Sequence, residues 1–278
     1  GRSLQNRNCR AAGGGYVYLR EAYGKFWGFI YAWTITWVGK CGAAAALATA
    51  FTYYLTHFLP ALDGVLLTVR YPVGPHGGPL EITLGQLAAM GLILILAVIN
   101  FFGVKLGGRV QVVATVAKVA LIASIVAVAF LWGTGDVSHY RTSIPSAGGA
   151  AGFFAALVAA LWAYEGWADV TYVGSETRDP QRTLPRALIG GSIIILVVYL
   201  FTNLAYFYVL TPAEVGASDR VAATMMEKTV GPVGGGVVSI AAMISIFAAL
   251  NGALLTTARV PYAAARDGVF FRPMGVVH

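Results

Sequence analysis

Three groups of residues in this sequence could carry chemistry, and all three lie in apolar surroundings. Lys118 stands in the middle of the run 110–132, which has no other Asp, Glu, Lys or Arg. It is too deep for its ammonium to snorkel easily to water. A charge at the centre of a membrane helix costs roughly 2.5–3.5 kcal/mol unless it faces protein or water, so Lys118 reads as a buried structural cation or one beside an ion or substrate site. The second group is Glu165 and Asp169 in 161–169 (LWAYEGWAD). Four residues apart, they share one face if the helix is continuous. Gly166 and the crowded aromatics argue for a break, and a broken membrane helix presents backbone amides and carbonyls to charged substrate groups. The alternative is that the helix ends here with Asp169 at its cytoplasmic mouth. The third group is Ser239, Ser245, Asn251, Gly252, Thr256 and Thr257, most of which ordinary helix packing explains. Thr202 with Asn203, and Gly107 with Gly108, have the same explanation. A Ser–Lys hydrolase built from Ser245 and Lys118 would need a pairing that nothing in the sequence supplies. There is no Walker loop and no H-E-x-x-H, and the four histidines and two cysteines lack metal-ligand spacing. No metal and no cofactor is expected.

The elements that hold these groups follow from composition. Of 278 residues, 58% are hydrophobic and 11% charged, with a mean hydropathy of +0.71, whereas soluble domains carry about 25% charged residues. That excludes a soluble enzyme, a nucleic-acid binder and a disordered chain. A helix needs about 20 apolar residues to cross a bilayer, and the runs yield about six spans: 25–58, 82–103, 108–132, 152–174, 185–210 and 231–258. Barrel strands would give much weaker segments of about 10 residues. The expected fold class is an all-α, polytopic membrane protein. Between spans, 71–79 (YPVGPHGGP) and 133–136 (GTGD) are turns. Asp179-Pro180 and Leu184-Pro185 bracket a short connection, with Pro185 suited to the first turn of the next helix. Residues 218–228 read as a short surface helix.

Orientation comes from the basic residues. Thirteen fall on one set of loops: Arg2, Arg7, Arg10, Arg20, Lys25, Lys105, Arg109, Arg178, Arg182, Arg186, Arg259, Arg266 and Arg272. Four fall on the other: Arg70, Arg141, Arg220 and Lys228. Lys40 and Lys118 lie inside spans. The bias places both termini in the cytoplasm, and it turns the net charge of +7 into a topology signal. No signal peptide is visible. Segment 1–12 (GRSLQNRNCRAA) is an atypical polar tail, unlike anything after it.

Several segments together resemble the amino acid–polyamine–organocation superfamily, most closely its L-type amino acid transporter branch. They are 14–24 (GGYVYLREAYG), 100–105 (NFFGVK), 160–167 (ALWAYEGW), 176–187 (ETRDPQRTLPRA), 202–207 (TNLAYF), 251–259 (NGALLTTAR) and 265–268 (ARDG). One such motif is weak, but seven in order are strong. The resemblance implies a carrier with a five-plus-five inverted repeat, of which 13–278 would supply the third to eighth helices, so the chain reads as a fragment. It implies that the sixth-helix break falls at Trp162, Ala163, Tyr164 and Glu165, whose carbonyls would accept bonds from a substrate ammonium, with Trp162 as the gate. Glu165 departs from the small residue many members carry. It could bind a cationic group, carry a proton or solvate the break. Lys118 matches the fifth-helix lysine that replaces a sodium ion, with Ser245 near it on the eighth helix.

The resemblance therefore implies secondary active amino acid transport in the plasma or inner membrane, as an exchanger or a proton-coupled carrier. The expected partners are an amino acid, lipid and, in the proton-coupled mode, protons, with no nucleic acid and an accessory subunit left open. The reading from a different class is a non-transporting six-helix scaffold or partner-binding subunit.

Overall fold

In lipid, backbone N–H and C=O groups have no water to bond, so an apolar run becomes a helix that satisfies them within its own segment. The computed structural model describes residues 13–70, 79–101, 104–142 and 148–276. Among them four helices are long and apolar enough to cross a membrane: Leu84–Phe101, Gly108–Trp132, Pro180–Val209 and Pro232–Arg266, with Gly149–Leu161 a shorter apolar helix. The polar tail 1–12 and the turn at 71–78 lie outside the described residues.

In chain order, α1 is Gly15–Tyr23 and α2 is Lys25–Thr34, which runs through a π-turn, Ile35–Lys40, into α3, Cys41–Leu55. A 3-10 turn, Pro60–Asp63, leads to a hairpin of β1, Val65–Arg70, and β2, Pro79–Thr83. Its strands are antiparallel, with Leu67 opposite Ile82 and Val69 opposite Leu80. There follow α4 (Leu84–Phe101), α5 (Val104–Trp132), α6 (Gly149–Trp162), α7 (Pro180–Val209), α8 (Pro212–Ala217), α9 (Val221–Val230), α10 (Pro232–Thr257) and α11 (Arg259–Arg266). Further 3-10 segments are Val137–Arg141, Trp167–Glu176 and Arg272–Gly275.

Besides the hairpin and the four rather than six helices of membrane-crossing length among the described residues, two details differ from expectation. α7 starts at Pro180, not Pro185. Pro180 takes the first helical position, where its fixed φ is preset and its missing N–H would have had no partner, and Pro185 is carried one turn inside. The stretch 152–174 is not one helix, because it changes character after Trp162. The surface helix expected at 218–228 is α9.

The chain divides into two compact units. The first takes the described parts of 1–40, 135–217 and 256–278. Its core is Tyr16, Val17, Ala32, Tyr172, Val260, Ala264 and Phe270. Gly14 enters α1 at φ +47, and a Cβ there would strike Thr171 and Tyr172. Only glycine tolerates both the left-handed backbone and that approach. On α7 apolar residues stay exposed on more than one face, Ile189, Ile193, Ile194, Leu196, Val197 and Leu200 among them, as suits a helix in lipid. The second unit takes the described parts of 41–134 and 218–255. Ala44 and Ala48 of α3, Ala89 and Leu96 of α4 and Leu250 of α10 are buried together. The small residues four apart on α3 let the helix backbones approach.

Candidate functional site: a broken helix and its charge pair

The sequence of α6, GAAGFFAALVAALW, is entirely small or apolar and gives the helix no reason to end in lipid. What ends it is the next segment. The Ala163 and Tyr164 amides donate to the Ala160 and Leu161 carbonyls at 3.1 Å each, tightening the last turn to 3-10 geometry. Gly166 then adopts φ 101° and ψ −10°, a left-handed state that glycine enters at no steric cost. The chain resumes as the 3-10 segment Trp167–Glu176. Trp162 is thus the last residue of α6, and Ala163, Tyr164 and Glu165 form an exposed turn. Because the helix is broken, Glu165 and Asp169 do not stack one turn apart. The Ala163 carbonyl accepts a hydrogen bond from the Tyr199 hydroxyl of α7 at 2.9 Å. Tyr164 packs edge-on against the same tyrosine, with ring centroids 5.1 Å apart. Tyr199 escaped the sequence reading because it is one aromatic in a long apolar run.

Asp169 has a partner that the sequence did not suggest. Lys40, the last residue of the π-turn, donates to both Asp169 carboxylate oxygens, at 2.7 and 2.8 Å. The two side chains are only 11% and 19% exposed. The Lys40 ammonium also lies 5.7 Å from the Tyr172 ring centroid, within cation–π range. The Tyr172 and Tyr31 hydroxyls share a 2.8 Å hydrogen bond. The sequence offered no signal for the Lys40–Asp169 contact: π-bulges gather at functional sites, but a π-turn is not readable from sequence.

Farther along the same unit, Arg20 pairs with Asp267 and with Glu21, and the Tyr16 hydroxyl donates to Asp267 at 2.8 Å. Burial, reinforced by the hydrogen bond to Asp267 and by its charge, raises the Tyr16 phenol above the usual tyrosine range, so it stays a donor. Arg259 grips both Glu176 oxygens at 2.9 Å, the bidentate geometry in which arginine pairs best. Two of the recognised motifs, 176–187 and 251–259, meet in that pair.

Lys118 and Ser245 belong to the second unit. Lys118 is at the midpoint of α5 and half-buried. Among the described residues it has no hydrogen-bond or ion-pair partner, and no bond joins it to Ser245, itself half-buried on α10. The polar centre of this unit is instead a chain of amides. Asn100 of α4 donates to the Asn251 side-chain oxygen at 3.1 Å, and Asn251 donates to Gln111 of α5 at 3.0 Å. Asn251 is fully buried. Asn251 thus does more than the packing that explains most of the small and hydroxyl residues of its span, and Gln111 gave no signal in the sequence. Trp162–Glu165 and the pair Lys118 and Ser245 thus fall in different units.

These features define a class: a polytopic α-helical membrane protein with a discontinuous apolar helix, the Tyr199 hydroxyl bonded to a carbonyl of its break. A family model for amino acid permeases matches residues 9–276. The chain belongs to that family. Its relatives include the serine/threonine exchanger SteT of Bacillus subtilis (strain 168), 35% identical over 91% of this chain and 53% of the relative. The b(0,+)-type amino acid transporter 1 of Mus musculus is 30% identical over 96% of this chain and 52% of its own. The Asc-type amino acid transporter 1 of Mus musculus is 28% identical over 96% and 48%. The chain spans about half the length of the curated relatives it matches.

Proposed function

We propose that this chain forms part of a secondary amino acid transporter of the plasma or inner membrane, working by alternating access with both termini cytoplasmic. The observation that carries the reading is the break after Trp162, in a chain of the amino acid permease family. Carbonyls of Trp162, Ala163, Tyr164 and Glu165 receive the substrate ammonium, and Trp162 gates it. A carbonyl has two lone pairs, so the Tyr199 bond to Ala163 orients that oxygen without using it up. Lys118, with Ser245, takes the place of a coupling cation. Exchange is the favoured mode, since the relative with 35% identity is named an exchanger, and proton coupling is the other mode to test.

The test is radiolabelled amino acid uptake into proteoliposomes, with this chain and with a version extended by two upstream helices of the family. Uptake of neutral, cationic or anionic amino acids by the extended version is expected, and trans-side amino acid should accelerate it. No uptake of any class by the extended version would favour the scaffold reading. In an active version, Glu165→Gln is expected to lower uptake of cationic amino acids at least tenfold more than uptake of neutral ones. Equal losses for both would leave Glu165 solvating the break.

A further inference from the structure

We propose that Lys40 and Asp169 are a positioning pair that fixes the downstream edge of the helix break, and that the π-turn exists to bring Lys40 to it. The inference rests on the reading that the break receives substrate.

The segment after the break has little rigidity of its own. Trp167–Glu176 is ten residues of 3-10 helix, and runs longer than three or four residues are uncommon because their hydrogen-bond geometry is poor. Such a segment keeps its place only if side chains anchor it. Asp169 and Tyr172 are three residues apart, so on a 3-10 helix they lie on one face. Both are anchored on the same helical stretch: Tyr172 to Tyr31 of α2 at 2.8 Å, and Asp169 to Lys40 at 2.7 and 2.8 Å. The Asp169 anchor leads straight to the break, because its amide donates to the Gly166 carbonyl at 3.1 Å. Gly166 is the residue that turns the chain. Displacing Asp169 therefore displaces the turn formed by Ala163, Tyr164 and Glu165.

The π-turn explains how both anchors reach one stretch. Nine residues separate Tyr31 from Lys40, and on an unbroken α-helix that step turns through about 900°, half a turn off the starting face. Lys40 would then point away from the side that holds Tyr172. The wider π-turn over Ile35–Lys40 closes its hydrogen bonds one residue later and advances less angle per residue. It swings Lys40 back until its ammonium lies 5.7 Å from the Tyr172 ring centroid. The charge pair also closes an electrostatic requirement. Each ion alone at this depth would be strongly disfavoured, and the two side chains neutralise each other where little solvent reaches.

The pair is tested on the purified chain in lipid nanodiscs, with Cys9→Ser and Cys41→Ser removing the native thiols and Glu165→Cys as reporter. The readouts are the reporter's rate of reaction with N-ethylmaleimide, the melting temperature and, without the reporter, binding of radiolabelled L-serine, L-leucine or L-arginine. Lys40→Met and Asp169→Asn are each expected to change the labelling rate at least fivefold and to weaken binding at least tenfold. Either variant could simply unfold, so the deciding variant is Lys40→Met with Asp169→Leu, which leaves no unpaired charge. It is expected to regain the melting temperature while the labelling rate and affinity stay altered. If rate and affinity return together with the melting temperature, the pair is only structural and the proposal falls. If neither the parent chain nor the version extended by two upstream helices binds any of the three amino acids, the substrate reading of the break fails. The labelling rate still decides what the pair does.

Discussion

Two lysines interrupt apolar stretches of this chain, and their surroundings differ in kind. Lys40 is closed into a bidentate contact with Asp169 and sits beside a tyrosine ring. Lys118, at the midpoint of α5, is half-buried and has no such partner among the described residues. Position in a hydropathy plot ranks Lys118 as the more exceptional residue, because it is deeper in its run. Depth measures what a charge costs but says nothing of what compensates it. A paired ion holds structure, and its removal strands another charge. An unpaired one is carried at a cost to stability, which marks a residue kept for something other than stability. The two residues should therefore respond with opposite sign to the same substitution.

The largest effect is expected at the pair. Lys40→Met leaves the Asp169 carboxylate buried alone, and breaking a buried ion pair from one side typically costs about 3–5 kcal/mol. Reversible unfolding of the purified chain in mixed micelles measures it, and a loss under 1 kcal/mol would mean that water already screens the pair. Lys118→Met is expected to move stability the other way, by up to about 2.5 kcal/mol of gain, the insertion penalty of a lysine at a helix centre. The same substitution in a transport-competent version should lower uptake. A protein both less stable and fully active would reverse the contrast between the two lysines.

Why one lysine was legible and the other was not comes down to range. The apolar runs that became α4, α5, α7 and α10 are local properties, and each was readable within a few residues of its ends. Gly166 is also a local signal, which left a break and a helix end both open, and the position after Trp162 came from the family resemblance. The Lys40–Asp169 contact joins residues 129 apart in sequence and depends on a π-turn that composition does not announce. The same holds for the amide chain, where Asn100 and Asn251 are 151 residues apart. The hairpin of β1 and β2 was missed for another reason. Its strands are short and flank a glycine- and proline-rich turn, so the whole segment reads as loop.

Neutral polar groups extend the comparison at a smaller scale. Asn251 is fully buried between Asn100 and Gln111, much as Asp169 is held by Lys40, but no net charge is at stake. Asn251→Ala is expected to cost about 1–2 kcal/mol, since hydrogen bonds between membrane helices average about 0.6 and reach about 1.7 kcal/mol. A cycle with Gln111→Ala separates the bond from the packing. Coupling as large as that of the charge pair would show that geometry, and not charge, sets these energies.

The smallest effect is expected where a carboxylate meets water. Asp136 lies outside the spans and caps the 3-10 segment Val137–Arg141, accepting from the Ser138 amide at 2.7 Å. That backbone bond, with a lesser part from the Ser138 side chain, holds its carboxyl below the ordinary value of 3.8. The depressed folded value means that Asp136 adds stability above about pH 4, where the unfolded chain is also ionised, and loses it as pH falls through the folded value. Asn at this position keeps the accepting oxygen but has no proton to gain. The melting temperature of Asp136→Asn should sit slightly below that of the parent chain at pH 7, and the gap should close as pH falls below the ordinary carboxylate value. A gap constant across that range would show that solvent has already taken over the cap, whereas a gap as wide as that at Asp169 would deny that burial is what separates the two aspartates.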